Sequence, residues 1–465
     1  MVASTSAVGA LSASDSASLN RAHVIFWLTF GAFMVTILVG LGWDRAWHTT
    51  HPFETFISPP HIFIYGTSAI GFALALAMVL VADIRRWFGP GLVVPLLSFR
   101  VPGALIILVG GFALQAQAGM VFDNFWHTSF GLDETAWSFP HAMLGWSFFL
   151  TLLGLVACRL AMRPHRRIAW YAAACMALLV LMFSVGPFLG PLRNNRTLDT
   201  VRAIDQIPVL LNQSAFQHTI RIYLSWDLTR ENPLFILLSA LWMGAALMLI
   251  RMLDRRARIW LSVALVFWLV SIAGGLGEAR GLDRAFQLSL ERNPANWMSE
   301  PLMPGAVVLA LALAIGIPEA WAFAVAGWAF ALLTWLIWRE QTWGFFLVFA
   351  GGPLAATGAA LGERIYRVLD RPTLKSVVWF LVLAGLVTPF ATGLVDLVLR
   401  KLTPSAYAHM GREWGAGEVP SPRTPLPPIT PVPYVCSPQI GSQPRARSGC
   451  TSGVRGRARS SVAGS

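Results

Sequence analysis

The sequence predicts an all-α, polytopic integral membrane protein with about ten or eleven transmembrane helices and a duplicated helical-hairpin metal module in its N-terminal half. Three observations carry that prediction. Hydrophobic residues make up 55% of the 465 residues and charged ones only 12%, against about a quarter charged in a soluble domain. Apolar runs of roughly 20 residues recur along the chain, each long enough to cross about 30 Å of hydrocarbon. A polar pattern rich in Asp and His occurs twice, each time between two such runs.

Taken in order, residues 1–21 are Ser/Ala-rich and lack a basic segment before an apolar core, so they read as a disordered leader rather than a cleaved signal. Apolar spans follow at 22–42, 59–83, 101–122 and 138–162, which with their connections form a four-helix module over 22–167. A further bundle over 168–402 takes in spans at 168–189, 233–252, 258–275, 304–316, 319–338, 343–362 and 376–399. Pro318 separates 304–316, which is short, from 319–338, and the pair reads either as two spans or as one broken or re-entrant helix. From 403 to 465 the chain is rich in Pro and Arg, cannot bury a core and reads as a disordered tail.

The net charge of +12 does not describe a nucleic-acid groove, and no nucleic-acid partner is expected. Most basic residues sit in short connections such as Arg85, Arg86 and Arg100, or Arg251, Arg255, Arg256 and Arg258. Such clusters mark the cytoplasmic side of a membrane protein, and its partner is first of all the lipid bilayer. The connections 43–58 and 123–137 share a single Arg and are expected outside. The four cysteines include no C-x-x-C pair, which argues against a disulfide framework or a cysteine zinc site.

The repeat carries the chemistry. From Asp44 the chain reads DRAWHTTHPFETFISPPH, and from Asp123 it reads DNFWHTSFGLDETAWSFPH. Each copy has Asp, a Trp-His pair ending four positions on, and a Pro-His pair 12 or 13 residues later. Asp and His four apart lie on one face of a helix, and Pro suits the first turn of the returning helix. Asp44, His48 and His61 therefore form one candidate metal trio, and Asp123, His127 and His141 the other. Five of the nine histidines of the chain fall in these two stretches, and ionisable groups at a bilayer edge are costly and tend to be functional. A solitary His at a helix end would instead read as an interfacial residue, and duplication weighs against that. Glu54 and Asp133 are candidates for orienting a ligating imidazole, and His51 has no counterpart in the second copy, where Phe130 stands. Gln115 and Gln117 read as packing residues that could also bond ligands. Two imidazoles and a carboxylate suit copper, Fe(II) or zinc, and the residues alone do not select among them.

The stretch DRAWHTTHPFETFISPPHIFIY resembles the metal motif in the membrane-embedded C subunit of particulate methane monooxygenase and ammonia monooxygenase. Asp44, Trp47, His48, Ser58, Pro59, His61 and Tyr65 match that motif, and Asp123, His127 and His141 match the spacing of the family's second site, with Asp123 in place of an Asn. The resemblance covers residues 22–160, about a third of the chain. It implies copper at one or both sites, partner membrane subunits, a small apolar substrate oxidised with dioxygen, and a bacterial inner membrane with the motifs facing the periplasm. It does not name the catalytic residues. Two other functions stand beside it: a non-catalytic membrane protein for copper delivery, sensing or assembly, and a zinc-dependent membrane hydrolase. Against the latter, no His-x3-His pair is present. Against the former, there is no clustered Met-x-x-Met relay.

Overall fold

Helix α1 (Ala13–Val35) begins where the Ser12 hydroxyl accepts the backbone N–H of Asp15 at 3.1 Å, a side-chain cap that satisfies one orphan donor of the first turn. The start lies inside the stretch expected to be a disordered leader. Its cause is distant in sequence: Arg86 donates to Asp15 at 2.5 Å and to Ser18 at 2.9 Å, and the Trp87 indole donates to Ser18 at 3.0 Å. These bonds tie the first two turns to the segment that follows the second span, and Leu19 packs into the core beside them, so a largely polar stretch is held in a helix by its partners.

This architecture is that of a computed structural model, which describes residues 12–50, 57–95, 97–125, 139–162, 234–286, 290–292, 294, 297–298, 300–338 and 345–394. The expected span at 168–189 and the tail over 403–465 lie outside those residues. Among the described residues nine helices are long and apolar enough to cross a membrane, and one more is apolar but shorter. The chain is therefore an all-α polytopic membrane protein. The rest of the secondary structure is a two-residue antiparallel β1–β2 ladder (Gly91–Leu92 and Val101–Pro102) and a few single turns.

After α1 a π-helical turn (Thr36–Gly40) leads without a break into α2 (Leu41–Thr50). The chain returns through α3 (Pro59–Leu80) and a short α4 (Ala82–Arg85), then through α5 (Gly103–Ala116), a second π segment (Gln117–Asp123) and α6 (Phe139–Ala161). Helix α6 is the most enclosed span, with 89% of its apolar window buried. Its neighbours press close enough to fix two glycines. A Cβ at Gly111 would meet the Thr151 backbone nitrogen at 2.6 Å, and one at Gly154 would meet the Leu108 Cα at 2.5 Å.

The second half comprises α7 (Leu234–Leu253), α8 (Ala257–Phe286), α9 (Leu302–Ala314), α10 (Glu319–Trp338), α11 (Val348–Asp370) and α12 (Leu374–Val382), the last continued by a π segment (Leu383–Val387). The doubtful pair around Pro318 is two helices. Gly316 at φ +83° makes the left-handed turn between them, and α9, at 13 residues, spans about 20 Å. In the α7–α8 connection Arg256 donates to the Asp254 carboxylate, and that bond holds the carboxyl below its usual range.

Several contacts fix which helix ends share a side. Gly103, at the start of α5, packs on Pro372, just ahead of α12. Gly89, after α4, packs on Ala161, the last residue of α6. Arg251, near the end of α7, pairs with Glu319, the first residue of α10. With α1 tied to Arg86, the starts of α1, α5 and α12 and the ends of α3 and α6 gather at one end of the N-terminal helices. The Arg-bearing connections after α3 and before α5 are at that end. The starts of α3 and α6, which carry His61 and His141, are at the opposite end.

Candidate functional site

Both expected hairpins build their polar end in the same way. In α3 the first three helical residues are Pro59, Pro60 and His61, and in α6 they are Phe139, Pro140 and His141. Proline lacks an N–H, and the first helical turn does not use one, so the Pro-His pair starts each helix with the imidazole as its third residue. The carboxylate comes from the preceding helix. His61 Nε2 lies 3.1 Å from Asp44 Oδ1, and His141 Nδ1 lies 3.8 Å from Asp123 Oδ1. The side chains of His61 and Asp123 are 11% and 8% exposed, so each pair has one nearly enclosed member.

Three further features accompany both pairs. The residue before each aspartate stacks edge-on against an aromatic two positions from the histidine: Trp43 on Phe63 at 5.8 Å, and Phe122 on Phe139 at 5.9 Å. Eight residues before each aspartate stands a buried polar side chain, Thr36 or Gln115, that bonds across the hairpin. Thr36 donates to Thr67 at 2.7 Å, and the Gln115 amide donates to Thr151 at 2.6 Å while accepting from Ser68 at 3.1 Å. Each aspartate also follows or ends a π-helical segment, which advances the helix by an extra residue per turn and re-aims the side chains beyond it. Such π insertions recur at functional sites.

Gln115 thus links three helices, α3, α5 and α6, at 2% exposure. Replacing it by Leu keeps the volume but leaves the hydroxyls of Ser68 and Thr151 with one partner fewer. We expect a loss of about 1–3 kcal/mol, read as a lowered unfolding midpoint in detergent. Gln117, two residues on, is exposed.

The two hairpins meet at Tyr65 and Gly119. Tyr65 lies one turn after His61, with ring centroids 5.9 Å apart, and its ring occupies the place a Cβ at Gly119 would take. Gly119 in turn lies one turn before Asp123. The aromatic pairs, the Gln115 bonds and this contact were not read from sequence. The polar residue eight positions before each aspartate is the signal that could have pointed to the second of them.

Among the predicted ligands, Asp44, His61, Asp123 and His141 are brought together in two pairs. His48 falls within α2, one turn after Asp44, but its side chain, together with His127, Glu54 and Asp133, lies outside the described residues. Among the described residues no three His, Cys, Asp or Glu side chains are grouped to hold a metal ion. The donor chemistry of the pairs nevertheless fits one. Two ligands each about 2.0–2.1 Å from a metal and subtending 90–109° lie roughly 2.9–3.4 Å apart, and the 3.1 Å of Asp44 and His61 falls within that interval. The second pair, at 3.8 Å, needs a modest approach. Beside the first pair the Ser58 hydroxyl, 4% exposed at the N-cap of α3, has no hydrogen-bond partner among the described residues.

No family model, curated protein or solved structure matches this chain.

Proposed function

We propose that the chain is a copper-binding integral membrane protein akin to the monooxygenase C subunits, with two sites built by a duplicated hairpin. Asp44, His48 and His61 hold the first metal, and Asp123, His127 and His141 the second. The observation that carries the reading is the pairing of an aspartate with the third residue of the returning helix in both hairpins, at 3.1 and 3.8 Å. The matching aromatic contacts and buried polar bonds beneath each pair support the same view. Copper bound there would supply dioxygen activation for oxidising a small apolar substrate. The protein's own contribution is to bind and orient: the prolines fix the helix starts, and the stacked aromatics brace the residue before each aspartate. With the basic connections at the other end, the positive-inside rule turns both sites toward the periplasm of a bacterial inner membrane. Partner membrane subunits complete the catalytic assembly.

Metal analysis of the purified protein tests this. Wild type is expected to carry copper, and His48→Ala and His127→Ala each to lose about one site's share. Equal, negligible metal in all three proteins overturns the reading. Copper without oxygen-dependent turnover, in the presence of partner subunits, moves the assignment to a delivery or assembly protein.

A further inference from the structure

At the basic end of the molecule, α5 and α12 run side by side in the same direction. A Cβ at Gly103 would meet Pro372 at 2.6 Å, and one at Gly385 would meet Leu114 at 2.6 Å, thirteen residues further along α12 with its π continuation and eleven along α5. Between them lies an apolar groove of about 440 Å³, walled in its lower part by Gly110, Ala113 and Leu114 on one side and Leu381, Val382 and Leu386 on the other, and running on past Gln117 to Phe122, Phe139 and Met143 beside the second Asp–His pair. Leu386 is 59% exposed, so the groove opens on the outer face of the helix pair.

Below the groove the cations outnumber the acids. Arg100 and Lys375 are exposed and have no ion-pair partner among the described residues. The Arg371 side chain is 91% exposed, with Asp370 4.0 Å from its Nε. The Gly103–Pro372 contact sets these three cations around the start of the seam. Trp379, 55% exposed, stands one turn above Lys375, at the level an interfacial aromatic takes.

The distances along the helix match one kind of occupant. At 1.5 Å per residue, Leu381 stands about 9 Å above Lys375 and Leu386 about 17 Å above it. Half the hydrocarbon thickness of a bilayer is about 15 Å. A phosphate held at the level of Lys375 therefore has its acyl chain in the groove as far as the bilayer midplane.

We propose that this seam is a binding site for one anionic phospholipid, its phosphate held by Arg100, Arg371 and Lys375 and one acyl chain seated between α5 and α12. A hydrocarbon alone would fill the groove but leave the cations unanswered, and a zwitterionic lipid answers them poorly. The far end of the groove adjoins the Phe122–Phe139 contact of the second Asp–His pair, but the cations and the lower part of the groove lie toward the opposite end of α5, so lipid binding there does not require metal.

The test is native mass spectrometry of the full chain in mild detergent, supplied with either dioleoyl-phosphatidylglycerol or dioleoyl-phosphatidylcholine. One phosphatidylglycerol should be retained in preference to phosphatidylcholine. Each basic residue near a membrane surface strengthens anionic-lipid binding roughly fivefold. The triple variant Arg100→Gln, Arg371→Gln, Lys375→Gln should therefore retain it about a hundredfold more weakly. These residues are exposed, so its unfolding midpoint without lipid should match wild type. Ala113→Phe and, at the rim, Leu386→Trp should each weaken retention with all charges intact. Equal retention of the two lipids, undiminished retention by the triple variant, or no effect of either groove variant overturns the proposal.

Discussion

Gly358→Leu should yield no folded protein, and Gly358→Ala should survive extraction with a markedly lower unfolding midpoint. The reason lies in the crossing of α7 and α11. A Cβ at Gly358 would collide with the Leu241 carbonyl oxygen, and one at Gly244 with the Ala355 carbonyl oxygen. A Cβ at Gly362 would sit 2.5 Å from the Ala245 carbonyl oxygen. In all three cases the obstacle is backbone, which cannot step aside as a side-chain tip can. In lipid the hydrophobic effect does not drive helices together, so close backbone approach over small residues supplies much of the attraction. Overfilling a packed core costs about 1–3 kcal/mol where side chains can move, and here the two helices themselves must separate. The comparison is Gly66→Ala, where nothing lies within 4 Å of the new Cβ. That change should be neutral or stabilising by up to about 1 kcal/mol, because Ala is the better helix former. Monodispersity after detergent extraction and the unfolding midpoint read all three variants. If Gly358→Leu elutes and unfolds as wild type does, the crossing is not as close as described.

The same crossing shows what the sequence could and could not disclose. The small residues of Gly351–Gly362 mark this helix as one able to approach another closely, because small residues in an apolar helix have that use. Its partner helix was not legible, since α11 meets α7 across about a hundred residues and nothing local names the pair. The nine spans among the described residues were legible from hydropathy alone, and their edges were not. Helix α1 reaches back to Ala13 because Arg86 and Trp87 bind its first turn, and an apolar window is blind to that bond. The site divides in the same way. Proline before histidine announced a helix start, and both α3 and α6 begin there. Which nitrogen of each imidazole faces its aspartate depends on side-chain rotation, which spacing does not encode. The π segments escaped as well, because an inserted residue leaves composition and periodicity almost unchanged over a single turn.

Asp44→Ala should weaken metal binding at the first site by more than the 10–100-fold that follows loss of an orienting partner, while the second site keeps its metal. The pair at 3.1 Å admits two arrangements. In one, Asp44 Oδ1 and His61 Nε2 are both ligands of one metal, and removing the carboxylate removes a ligand and a charge. In the other, His61 Nε2–H donates to Asp44 while Nδ1 binds the metal, and the carboxylate only fixes the ring. Asp44→Asn separates them. An amide oxygen can still accept from Nε2–H, so an orienting role predicts loss at the small end of that range. A ligand role predicts a loss close to that of Asp44→Ala, because the negative charge that offsets the metal's is gone. Asp123→Asn is the internal comparison. There the imidazole turns Nδ1 toward the aspartate at 3.8 Å, beyond hydrogen-bond reach, so the orienting arrangement is the weaker candidate. The second site should then lose more from the amide than the first if the first pair is of the orienting kind. Ligating imidazoles must shed a proton before they bind metal, so affinity at both sites should fall as the pH is lowered. Metal content per chain, titrated for wild type and the three variants at two pH values, reads every arm. Full metal retention by Asp44→Ala would remove Asp44 from the site altogether.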